Sequence, residues 1–94
     1  MKIAFVFNRK TNQSLEQAEF DTPETIAAIR SALESGGNEV VEVEMNLEDS
    51  MSEWIGRLAK AKPNIVFNTA EGYFGIGRES LGPTIFEQLQ LPYV

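Results

Sequence analysis

The sequence predicts an α/β domain on a parallel sheet, with strands in the order 2-1-3-4 and the fourth strand truncated. Two observations carry that expectation. Short apolar runs alternate three times with stretches of helical periodicity, and such repeats join parallel strands through right-handed crossovers. The second apolar run has one polar face, which places it at a sheet edge and makes the first and third strands neighbours. Helices on both faces complete a three-layer arrangement.

Each element has a local cause in the sequence. Lys2 to Phe7 is apolar on both faces, as a central strand must be. Asn8 to Gln17 is polar and aperiodic. The first helix starts at Asp21 or Thr22 as N-cap, with Pro23 in its first turn and Glu24 three residues after Asp21, as in a capping box. Ile26, Ile29 and Leu33 form its buried stripe, and Gly36-Gly37 supplies a left-handed stop. From Glu39 to Met45, Val41 and Val43 take one face and Glu42 and Glu44 the other. Ser50 and Glu53 repeat the capping signature. Met51, Trp54, Ile55, Leu58 and Ala59 then follow at helical spacing, which makes Trp54 a core residue. Lys60 and Lys62 suit the negative end of that helix, and Pro63 lies just past it. Asn64 to Asn68 is the third strand and Thr69 to Glu79 a glycine-rich loop. Ser80 to Gln90 is a third helix with Leu81, Ile85, Phe86 and Leu89 inward, and Leu91 to Val94 begins another strand.

Composition narrows the chemistry. Ninety-four residues make one small domain, able to bury roughly 60–65% of the surface its unfolded chain exposes. Apolar residues at 43% and charged residues at 23% exclude a disordered chain. No apolar run approaches the roughly 18–20 residues that span a bilayer, and the N-terminal run is too short for a secretory signal. A cytoplasmic protein with no membrane partner is therefore expected. Eight basic residues against fourteen acidic give a net charge of −6, which opposes a nucleic-acid partner. With neither cysteine nor histidine, thiolate chemistry and the commonest general base are absent. No carboxylate cluster suits Mg²⁺, so the sequence assigns no catalytic residue, no metal site and no cofactor to this chain.

The predicted strand order reverses the chain direction between the first and third strands, and such a switch point opens a crevice at the carboxyl ends of the strands. The long connections, Asn8 to Phe20 and Thr69 to Glu79, leave from those ends. Gly75 to Ser80 is a near miss to GxGxxG, but it follows the third strand and lacks the later acidic strand end. Gly77 to Thr84 has phosphate-loop spacing with Pro83 where the lysine belongs, so it cannot serve phosphates. Asn68 replaces the carboxylate that a phosphoacceptor domain needs. The loop glycines permit tight turns or the close approach of a ligand to the backbone. Glu19 and Glu71 are candidates for a substrate ammonium. Arg78 either clamps a carboxylate or forms a surface pair with Glu79.

Three stretches carry a resemblance: Ala18 to Thr25, Val66 to Gly72, and Arg78-Glu79-Ser80 followed by Pro83, Phe86 to Leu89 and Leu91-Pro92-Tyr93. Together the chain resembles the N-terminal (preATP-grasp) domain of D-alanine–D-alanine ligase-like proteins of the ATP-grasp superfamily, with a Rossmann-like fold over residues 1–94. The likeness implies an ATP-dependent carboxylate–amine ligase. One carboxylate becomes an acyl phosphate, and the amine of an amino-acid or peptide substrate displaces the phosphate. By the same likeness Glu19 contacts the substrate ammonium, and Glu71-Gly72 stands where the family has a histidine–glycine pair. That departure favours a substrate other than D-alanine. ATP and Mg²⁺ are implied for later ATP-grasp domains that this chain lacks, as though cut before them. The 94 residues alone are expected to be inactive as a ligase, and their exposed sheet edge favours a homodimer or larger assembly. The alternative reading is a stand-alone Rossmann-like module that binds a small molecule or a protein without catalysis.

Overall fold

The computed structural model describes residues 1–46 and 48–94, Glu16 by its backbone alone. Three parallel strands, β1 (Lys2–Phe7), β2 (Glu39–Glu44) and β3 (Ile65–Asn68), lie in the order β2-β1-β3. The helices are α1 (Pro23–Ser35), α2 (Met51–Ala61) and α3 (Leu81–Gln88). Strand β1 is central because Ile3 to Phe7 are all apolar, and all five are buried.

The two-residue period of β1 divides the core into two clusters. Phe5 and Phe7 face Ile26 of α1 and Val40 of β2. Ala4 and Val6 face the other way, with Val43, Val66, Trp54, Leu58 and Phe86. Helix α1 therefore covers one face, while α2 and α3 cover the other. Trp54 is fully buried, as its helical spacing predicts. Strand β2 forms the predicted edge, and its outward carboxylates find cations. Arg30 Nη1 donates to Glu42 at 2.8 Å, and Arg9 Nε to Glu44 at 3.5 Å. These pairs are partly exposed and stabilise by less than about 1 kcal/mol each.

Helix termini show both the predicted chemistry and two departures. Thr22, not Asp21, caps α1: its Oγ1 accepts from Thr25 N at 3.2 Å, which frees Asp21 for another contact. Gly37 supplies the left-handed stop at φ 83°. Before α2, Ser50 N donates to Glu53 Oε1 at 3.4 Å. The second departure is at α3, which is shorter than predicted. A 3₁₀ turn over Arg78–Ser80 precedes it, and it ends at Gln88, so Leu89 is exposed instead of inward. Gln90 turns the chain through φ 59°, and Leu91 packs on the core in its place.

Beyond α3 the chain returns to the outer edge of β3. Val66 N donates to Pro92 O at 2.8 Å and Val94 N to Val66 O at 2.9 Å, giving one parallel bridge between Val66 and Tyr93. The described residues form three strands, and this last segment adds the bridge alone. No helix among them is long and apolar enough to cross a membrane.

Candidate functional site

Asn8 ends the apolar run of β1 and is itself buried, so its amide must find partners inside the protein. Its Nδ2 donates to Met45 O at 2.7 Å, and its Oδ1 accepts from Glu71 N at 2.5 Å. Its own carbonyl accepts from Asp21 N at 3.0 Å. One residue thus ties together the chain leaving β1, β2 and β3. A second tie lies beside it, where Thr69 Oγ1 donates to the Asp21 carboxylate at 2.5 Å. The connections after β1 and β3 are side by side, as the predicted switch point requires.

The first connection is organised by a buried side chain. Gln17 ends a 3₁₀ turn, Leu15–Gln17, and its Oε1 accepts from Thr11 N at 2.6 Å and from Asn12 N at 3.0 Å. Phe20 is buried three residues later, which leaves Glu19 exposed at the lip. The second connection is organised by backbone conformation. Gly72 is buried at φ 81°, and a Cβ there would lie 2.0 Å from Arg78 O. The close approach that a glycine permits is therefore made here by the chain itself. It brings Arg78 back toward the first loop, where its guanidinium sits 5.3 Å from the centre of the Phe20 ring.

These contacts bring three of the four predicted site residues, Glu19, Glu71 and Arg78, into one electrostatic neighbourhood. Gly72 shapes the loop that carries two of them. Burial, and next the negative charge of Glu19, push the Glu71 carboxyl above the usual carboxylate range. Arg78 opposes the shift, while Glu79 and Asp21 add to it. Among the described residues Arg78 forms no ion pair within 4.0 Å, with Glu79 or any other carboxylate. An acidic surface of this kind favours a cationic guest, because an ammonium group would offset the repulsion between Glu19 and Glu71.

A cavity of about 590 Å³ adjoins this region. Arg78 is on its wall, together with Asp49, Met51, Tyr73, Phe74 and Leu81, whereas Glu19, Glu71 and Gly72 are not. Asn8 and Asp21 organise the site although neither was expected from the sequence to do so. For Asn8 a signal exists: a polar residue directly continuing a strand buried on both faces has no route to water. No protein-family model and no curated protein matches this chain.

Proposed function

We propose that this chain is the substrate-side domain of an ATP-dependent carboxylate–amine ligase of the D-alanine–D-alanine ligase-like, ATP-grasp kind. Its sheet is read as Rossmann-like, with the order continued to 2-1-3-4 by the segment paired to Val66. The observation that carries the reading is the placement of Glu19 and Glu71 on adjoining loops, close enough for the Glu19 charge to act on the Glu71 carboxyl. An amino-acid or peptide ammonium between them makes two charge-assisted contacts and favours the ionised form of Glu71. Asn8 and the Asp21–Thr69 contact fix the spacing of the two loops, so the pair is organised before a substrate arrives.

Among the described residues no three metal-binding side chains converge. The reading assigns nucleotide and metal to further domains, and it routes no step through them in this chain. The 94 residues alone are expected to turn over no ATP.

Calorimetric titration with amino acids and dipeptides, each paired with its N-acetyl derivative, tests the reading. Free-amine ligands are expected to bind about tenfold or more tightly than the acetylated ones, an advantage that Glu71→Gln shrinks. Equal binding of the paired ligands, or an advantage that survives Glu71→Gln with Glu19→Gln, contradicts it.

A further inference from the structure

The cavity beside α3 has a wall chemistry unlike that of the acidic crevice. Its apolar surface comes from Met51, Tyr73, Phe74 and Leu81. Phe74 is 77% exposed and Met51 41%, so the wall offers large apolar groups to a guest. The Tyr73 and Phe74 rings lie 6.4 Å apart, inclined by only 32°. The volume, about 590 Å³, lies within the roughly 300–1,000 Å³ typical of small-molecule sites.

Charge decides the rest of the guest. Two charged residues line this wall, Asp49 and Arg78. Asp49 already has a partner, Arg57 Nη2 at 3.4 Å. Arg78 has no carboxylate partner among the described residues, and its guanidinium keeps a planar fork of donors available. Of the wall's hydroxyls, Ser80 Oγ donates to Gly77 O and Thr84 Oγ1 to Ser80 O, each at 2.8 Å, while the buried Tyr73 hydroxyl has no hydrogen-bond partner among the described residues. The charged group on the wall without an ion-pair partner is therefore cationic, at the border of an apolar hollow.

We infer that this cavity is a binding site for a small monocarboxylate with an aromatic or branched aliphatic body. The carboxylate meets the Arg78 guanidinium, and the body lies against Tyr73, Phe74, Met51 and Leu81. The assignment does not rest on the ligase reading, because the residues proposed to hold an ammonium are absent from this wall. Arg78 nevertheless belongs to both regions, since its charge also acts on Glu71. Occupancy of the cavity by an anion therefore weakens the relief that Arg78 gives to Glu71.

Three probes of one shape and different charge test the inference: 3-phenylpropanoate, 3-phenylpropanamide and 3-phenylpropylamine. Binding is followed by amide chemical shifts and by the fluorescence of the single tryptophan, Trp54, which shares a core cluster with Tyr73 and Leu81. The carboxylate is expected to bind about tenfold more tightly than the amide, with saturable shifts at Tyr73, Phe74, Arg78 and Leu81. Arg78→Gln is expected to abolish that preference. Phe74→Ser, at an exposed position, is expected to weaken the carboxylate and the amide alike, by about threefold or more. Equal affinity for the three probes overturns the inference, as does a failure to saturate at millimolar concentration. It is also overturned by shifts centred on Glu19 and Glu71. If the same wall residues shift on dilution without a probe, a second copy of the chain occupies the surface and the inference fails.

Discussion

Residues 8–21, which follow β1, are held by side chains. Gln17 gathers the backbone amides of Thr11 and Asn12, and Asn8 and Asp21 make the cross-links to neighbouring loops. Residues 69–79, which follow β3, are shaped by backbone instead, through positive φ at Gly72 and Gly75. The first loop is stiffened by buried polar groups that would be costly to leave unpaired. The second is secured at its base and leaves Phe74 and Ile76 in solvent at its tip. Asn8 joins the two designs, because its side chain holds the backbone of Glu71. A rigid lip carrying Glu19 thus faces a loop whose base is fixed and whose outer part is open.

Substitutions at the two loop glycines break this contrast most sharply. Both have positive φ, but a Cβ at Gly72 meets the Arg78 carbonyl, whereas one at Gly75 meets nothing within 4 Å. Gly72→Ala is expected to destabilise the protein by about 3 kcal/mol or more, and Gly75→Ala by about 1 kcal/mol. Equilibrium urea unfolding checks the difference, and equal losses would remove the distinction between base and tip.

Asn8→Ala comes next. It leaves the Met45 carbonyl and the Glu71 amide without their buried partner, at an expected cost of about 2 kcal/mol. Amide hydrogen exchange should then quicken in both loops together, around residues 9–20 and 70–73. Faster exchange in only one loop would show that Asn8 does not couple them.

The smallest effect carries the opposite sign. Glu71 has a folded-state pKa above the ordinary carboxylate value, so the folded protein holds this proton more tightly than the unfolded chain. Its contribution therefore becomes less favourable as pH rises from the ordinary carboxylate value through the raised one. Glu71→Gln is expected to raise Tm slightly at neutral pH. That gain should vanish at acidic pH, where both states of the parent protein are already protonated. A scan of Tm against pH decides it.

Much of this architecture was legible in the residue pattern. The doubly apolar run Ile3 to Phe7, the alternation from Glu39 to Met45, and the stripe holding Trp54 and Leu58 specify a buried strand, an edge strand and a helix. Their order brings the first and third strands together. The details that escaped are long-range or small in periodicity. Asp21 and Thr22 are both cap-forming types, and only the position of Thr69, 48 residues away from Asp21, shows which task each performs. Leu89 fits an inward helical position, but the left-handed turn at Gln90 ends the helix and sends Leu91 to the core. Glu19, Glu71 and Arg78 were recognisable from loop position and charge. The Gly72–Arg78 contact that organises them depends on a backbone approach that no spacing rule encodes.

Glu19 and Glu71 are expected to act on each other's surroundings across the two loops. Carbon-detected NMR titration of the Glu71 carboxyl, in the parent protein and in Glu19→Gln, measures this directly. The expected result is a Glu71 midpoint above the ordinary carboxylate value that moves down when the charge at position 19 is removed. A Glu71 titration that is unchanged by Glu19→Gln would contradict the shared site.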